Sequence, residues 1–266
     1  MPKNLFSTLL LAGIWAIFAA RAGAAQEPGQ IVAQRVTGSV LSVNLADNTT
    51  VGLQNGDTLT QGFAVRTAKG ASAMLVFSNG ATVNVGEDTE VSIDQFLQDP
   101  FSKEVKVAEL QEEPTTSATK LKLTHGEIVG HVRHLHQDQG STFEVDTPVG
   151  AAGIRGTTFQ ITYQPQGNGK AFFSISTAEG TVVFSSVTNQ TIPIPVGQQI
   201  TVDVTVDPAT GAVQLNVQPG ALPAGAADAI TQLVKGAEDV IFNPHNTPNS
   251  PPPTPPAPRT TPGDGG

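Results

Sequence analysis

The 266-residue chain contains no cysteine, a single tryptophan and a single tyrosine, and only 14% of its residues are charged. Without cysteine there is no disulfide framework, no thiolate metal site, no cysteine nucleophile and no lipid-bearing N-terminal cysteine. Aromatic residues make up 5% of the chain. Basic residues are scarce too, with 14 Lys and Arg against 23 Asp and Glu and a formal charge of −9. Nucleic-acid binding needs a basic stripe to meet phosphates, and none is present, so a nucleic-acid partner is not expected. The apolar run from Leu5 to Ala20 falls short of the roughly 20 residues a spanning helix requires. It follows Lys3 and precedes Ala22-Gly23-Ala24, a small-x-small cleavage site. Residues 1–24 therefore read as a signal peptide, and the expected product is periplasmic or secreted, with no stable membrane span after cleavage. Removing Lys3 and Arg21 takes the charge to −11.

What the chain has instead is 27 Gly, 20 Pro and many short alternating apolar segments, the composition of a turn-rich β protein. The fold class expected is all-β, a β-sandwich or β-roll of many short antiparallel strands with one C-terminal amphipathic helix and disordered termini. Strand patterns run from Ile31 to Val217, which sets the limits of the β domain at 31–217. Within it, Ser78-Asn79-Gly80 separates Ala71–Phe77 from Ala81–Val85, and Asn-Gly between apolar runs is a strong hairpin signal. Residues 98–119 are charge-rich, hold Glu112-Glu113-Pro114, and read as an insertion. From 224 to 242, Ala226, Ile230, Leu233, Val234, Ala237 and Ile241 recur at helical spacing. Residues 243–266 are proline-rich and nearly devoid of apolar bulk, so a disordered tail is expected there.

The sequence holds few residue patterns that carry chemistry. His131, His134 and His136 cluster, but if Ile128–His136 is a strand only His134 and His136 share a face, too few ligands for a metal centre. Glu87, Asp88, Glu90 and Asp94 lack the spacing of a twelve-residue calcium loop. Glu144 and Asp146 stand at i, i+2 on one strand face, a spacing that brings two acids together but that any alternating strand produces. There is no G-x-S-x-G elbow and no phosphate-binding glycine loop before a helix. No catalytic residue, metal or cofactor is expected.

The most specific stretch is Phe143–Tyr163, FEVDTPVGAAGIRGTTFQITY, in which two alternating strand patterns flank a glycine-rich crossover carrying Arg155. Pro148 lacks an amide proton and holds Thr147 extended, and Gly150, Gly153 and Gly156 permit backbone paths or close approaches that a side chain forbids. TPVGAAGIRGTTFQI resembles the signature of FecR-domain proteins, a T-P-x-G-x-A-G-I-R-G-T-x-F string. The similarity takes in Leu123, Gly126, Val132, Arg133 and Phe143, and further upstream Val65–Val91. Matched residue by residue, it singles out Thr147, Pro148, Gly150, Gly153, Arg155, Gly156 and Thr157.

The resemblance implies an interaction role, since FecR proteins relay iron–siderophore status from an outer-membrane receptor to a cytoplasmic sigma factor. This chain departs from that design in having no cytoplasmic segment before the apolar run and no later span. The expectation is an exported, non-enzymatic binding or scaffold module whose partner is an envelope protein or wall polymer. Its rivals are the sensor part of a FecR-type signalling system acting through a separate membrane partner, and an enzyme of unknown type. Two roles are open to Arg155. Its five donors could bond acceptors beneath the crossover and pin two sheets together, the reading favoured by its small neighbours, or it could face a partner's carboxylate.

Overall fold

The computed structural model describes residues 26–207, 209–237 and 239–244. The expected signal peptide, and the proline-rich tail from residue 245 on, lie outside the described residues. Eight short strands and one of ten residues come first: β1 (Glu27–Pro28), β2 (Ile31–Thr37), β3 (Val40–Asn44), β4 (Thr50–Gly52), β5 (Thr58–Leu59), β6 (Phe63–Thr67), β7 (Ser72–Phe77), β8 (Thr82–Val85) and the longer β9 (Thr89–Gln98). After β10 (Val105–Lys106) come β11 (Ser117–His131), β12 (Thr142–Thr147), β13 (Gly150–Gly167) and β14 (Lys170–Ser186). β15 (Thr191–Pro195), β16 (Gln198–Val206) and β17 (Val213–Ala221) follow, then one helix, α1 (Ala226–Leu233), and a last strand, β18 (Ile241–Phe242).

Sixteen of these strands form one hydrogen-bonded sheet, and that sheet folds over on itself. The cause is the length of β11, β13 and β14, which run for 15, 18 and 17 residues, well beyond the usual span of a strand. Each changes partners partway along. Ser117–His125 of β11 pairs with β9, and part of it with β12, whereas Gly126–His131 pairs with β8 and β13. Gly150–Gly153 of β13 pairs with β12, and Thr158–Tyr163 with β11. Lys170–Thr177 of β14 pairs with β16, and Thr181–Ser185 with β15. One layer therefore runs β4, β3, β6, β9, β11, β12, β13, β14, β15, and the other β5, β2, β7, β8, β11, β13, β14, β16, β17. Pairing is antiparallel except between β11 and β12. The first of these ends in one layer and the second starts back in the other, which leaves the pair parallel.

The bends sit where the backbone takes positive φ: Gly126 at 95°, Gly156 at 62° and Gly180 at 73°. A Cβ on Gly126 would stand 2.5 Å from Thr89 Cα, and one on Gly180 would stand 2.5 Å from the Gly156 carbonyl oxygen. Two corners thus pass in direct backbone contact, which only glycine allows. Because Gly126 lies opposite Tyr163 while Thr158 lies opposite His131, β11 crosses between layers at one end of the body and β13 at the other.

Phenylalanines from both layers meet in the gap. Phe77 packs edge-on to Phe96 at 5.1 Å, Phe143 edge-on to Phe159 at 6.5 Å, and Phe173 tilts against Phe184 at 5.0 Å, separations at which rings attract beyond simple burial. The outer face of the layer holding β7 is covered as well. Met74 and Val76 lie under Phe101, Val105, Val107, Ala237, Val240 and Phe242, and Val129 lies under Ile230 and Val234. Residues 98–119 thus supply part of the cover, and β10 pairs with β18 to join it to the C-terminal part. The apolar spacing at 224–242 is helical only as far as Leu233. Gly236 turns at φ 99°, and the chain then extends to reach β10. Among the described residues nothing comparable covers the outer face of the layer holding β9 and β12.

Gly180→Ala is expected to lower the unfolding free energy by about 1–3 kcal/mol, whereas Gly153→Ala, whose Cβ meets nothing nearer than the Val183 carbonyl at 3.7 Å, leaves it within about 0.5 kcal/mol. Urea denaturation of both variants measures the difference.

Candidate interaction surface

The signature residues occupy the β12–β13 hairpin and the corner that follows it. The Thr147 hydroxyl donates to the Gly150 carbonyl at 2.8 Å, bracing a turn in which Pro148 is exposed and Val149 is buried. Gly150 runs close against β14, where a Cβ would lie 2.8 Å from Ser186 Cα. Ala152 and Ile154 point into the core, so by alternation Gly153 and Arg155 face outward. At the corner the Thr157 carbonyl accepts the Val132 amide at 2.9 Å.

Arg155 is exposed and makes no hydrogen bond or ion pair with any described residue. The pinning role favoured for it has no counterpart in this geometry. The layers are joined by continuous backbone, and the corners are closed by Gly156 against Gly180. The guanidinium stands on the uncovered layer, opposite Thr181 on β14. Gly153 likewise does not owe its glycine to internal packing, since a side chain there would have room.

The acid pair Glu144 and Asp146 shares that outer face and is bridged by Lys120 of β11, whose Nζ lies 2.9 Å from an oxygen of each. Hydrogen bonds that the ammonium donates to Asp146 first and Glu144 second hold it well above its ordinary value. Two acids clamped by one lysine form a partly compensated surface cluster, not a free pair flanking a substrate bond. The other acids suggested for calcium are dispersed among separate partners. Glu90 takes Arg66 at 2.7 Å, Glu87 accepts the Gly70 amide at 2.6 Å, and Asp94 accepts the Ser92 hydroxyl at 2.6 Å.

The histidines diverge. β11 stops at His131, so His134 and His136 are not alternate residues of a strand, and the face they were expected to share does not exist. His134 is exposed, its carbonyl accepting the Glu113 amide at 3.0 Å. His136 lies 3.8 Å from a carboxylate oxygen of Glu112 and 3.8 Å from one of Glu113. Among the described residues no group of three or more His, Asp or Glu could hold a metal ion.

Sequence reasoning missed Glu113, whose side chain is wholly buried. One oxygen accepts the Ser117 hydroxyl at 2.6 Å and the other the His136 amide at 2.7 Å. Ser117 in turn accepts from the amide of Asn79 at 3.1 Å, so the hairpin tip is tucked in rather than displayed. Nothing in the sequence marks Glu113, because one of its two side-chain partners, the His136 amide, lies 23 residues away.

At the corner itself, His131, Thr158 and Glu179 form a row. The buried Thr158 hydroxyl donates to Glu179 Oε2 at 2.9 Å, which leaves His131 Nδ1–H to donate to the Thr158 oxygen at 2.9 Å. The hydroxyl is inaccessible and its proton is directed at the carboxylate, so the row presents no nucleophile to solvent. Burial, then the charge of Arg133, push the His131 imidazole below its ordinary 6.5, with Glu179 opposing. The unfolded chain therefore binds a proton here at a higher pH than the folded one. Stability from neutral His131 is full above about pH 6.5 and drains as pH falls through that value towards the folded one. His131→Gln should lose less urea resistance than the parent between pH 7.5 and 5.5; an equal loss in both proteins would contradict the assignment.

A family model described as FecR protein matches residues 63–183, from the start of β6 into β14. The match takes in all three bent strands and their corners. No curated protein matches the sequence. Among solved structures, two crystal structures of a candidate anti-sigma factor from Parabacteroides distasonis, at 2.50 and 1.65 Å, each align with 15% identity and a TM-score of 0.42. Each alignment covers 64% of this chain and 64% of the other. Residues 63–183 of this chain are a FecR domain.

Proposed function

We propose that the chain is an exported signal-transduction protein of the FecR type, in which a rigid β body passes the state of one envelope partner to a membrane-bound second partner. The single observation that supports this reading over a passive scaffold is the FecR match at residues 63–183. What FecR proteins do, relaying receptor status towards a sigma factor, is regulation by contact and not turnover of a substrate. The partly compensated acid pair and the buried Thr158 hydroxyl agree with a non-enzymatic role.

The contact surface of this proposal is the uncovered outer face beside the β12–β13 hairpin. It offers Arg155 as an unpaired planar cation, suited to bidentate capture of a carboxylate. Gly153 is two residues away on the same face and lets a partner's backbone approach closely. The partner is accordingly a protein that presents an acidic side chain from an extended or flat surface. Localisation in the periplasm follows within this proposal from the signal-like N-terminus.

Two variants test it, Arg155→Glu and Gly153→Glu, each applied to an outward position. Affinity pull-down from a native envelope fraction should recover the partner at least about tenfold less well with either, while thermal melting stays unchanged. Deleting the gene should shift transcription of a defined set of promoters. Undiminished recovery with both variants, or an unaltered transcript profile, would overturn the proposal.

A further inference from the structure

We propose that β17 is the seam of a homodimer, in which two copies of the chain pair this strand antiparallel about Leu215. Among the described residues, two strand edges at the same side of the body have no partner, that of β15 in one layer and that of β17 in the other. They are built in opposite ways. In the β14–β15 ladder the Ser186 amide bonds to the Gln190 carbonyl, and the register continues as Ser185↔Thr191 and Val183↔Pro193. Even-numbered residues of β15 therefore face β14, and Pro193 and Pro195 fall on the open side. Of the three outward positions of β15, only Thr191 at its start has an amide to offer, and proline at the other two is a standard means of blocking an edge.

The register of β17 gives the reverse. The Asp207 amide bonds to the Ala212 carbonyl and the Leu222 amide to the Gly197 carbonyl, at 2.9 Å each. Both pairs fit the ladder Val206↔Val213 to Gln198↔Ala221. Residues 212, 214, 216, 218, 220 and 222 thus turn their peptide groups to β16, and Val213, Leu215 and Val217 turn theirs outward. Three amide donors and three carbonyl acceptors line this edge, with Pro219 stopping the run at one end.

The side chains at the same three positions are the ones left incomplete. Val213, Leu215 and Val217 pack on the main core but are only partly buried. The residues that alternate with them, Gln214, Asn216 and Gln218, are exposed. A chain with 14 basic and 23 acidic residues would repel its own copy at most faces, yet Val213–Gln218 carries no charge at all.

The occupant follows from the symmetry of the sequence. Val213-Gln214-Leu215-Asn216-Val217 reads nearly the same in both directions. In a two-fold antiparallel pair Leu215 faces Leu215 and Val213 faces Val217, each an outward hydrogen-bonding position. On the other face Gln214 meets Asn216, and the two amides can bond to one another. Each copy's nine-strand layer then continues into the other's, and the half-covered apolar row closes.

The absence of native cysteine makes the register directly testable in the full chain. The account predicts a dimer by sedimentation equilibrium at micromolar concentration. Leu215→Cys should oxidise to a disulfide-linked dimer, because paired Cα atoms about 5.5 Å apart suit a disulfide. Val217→Cys alone should not, since it faces Val213. Leu215→Lys and Leu215→Pro should each give a monomer that keeps the parent's β circular dichroism spectrum, with a lowered melting point because Leu215 also packs on the core. A monomeric parent protein, cross-linking at 217 as readily as at 215, or dimers surviving both the Lys and Pro variants would overturn the proposal. So would a β17 edge that pairs only with a strand of another protein.

Discussion

Backbone pairing that runs unbroken through a corner is the constraint on which the structure depends. β11, β13 and β14 each belong to both layers, so the ladder hydrogen bonds of one layer and those of the other share the same three chains. A sandwich whose layers met only through side chains could slide or open. Here relative movement would have to break the ladder at Gly126 at one end, or at Gly156 and Gly180 at the other. The phenylalanine pairs fill the gap these corners define, and they add burial without being needed to set the alignment. The FecR match covers this bent-strand unit and stops short of β15, β16, β17 and α1.

The two outer faces have different fates, and the proposed function rests on the difference. One is sealed by residues 98–119 and the C-terminal segment, joined through β10 and β18 and tied down by the buried Glu113 and by Arg35, whose guanidinium donates to the Lys235 carbonyl at 2.6 Å. The other carries Arg155, Gly153 and the Lys120–Glu144–Asp146 cluster in the open. A charged outer surface on a body whose two layers share continuous strands is suited to recognition, because a partner binding a preformed surface loses little to ordering the protein.

Much of this was legible locally. Period-two alternation marks the strands, Ser78-Asn79-Gly80 marks the β7–β8 hairpin, and the signature marks the crossover. What was not legible is non-local. Arg155 reads as buried from its small neighbours, but the neighbours that matter are Ile154, which points inward, and the corner glycine after it, so the arginine must point out. His134 and His136 read as one face of a strand only because the sequence does not show that β11 ends at His131. The spacing at 224–242 is helical in its apolar residues, while the positive φ of Gly236 and the demand of β10 for a partner end the helix at Leu233. Glu113 has no local signal, since its acceptors are satisfied by Ser117 and by a main-chain amide 23 residues away.

The central claim is that three shared strands make two layers into one unit, and native-state hydrogen exchange tests it most directly. If the account is right, the slowest amides of β9 in one layer and of β16 in the other open with the same free energy and the same denaturant dependence, because neither layer can open without the other. Exchange of one layer at a distinctly lower free energy, with the other still protected, would show that the corners do not lock the body and would contradict the account.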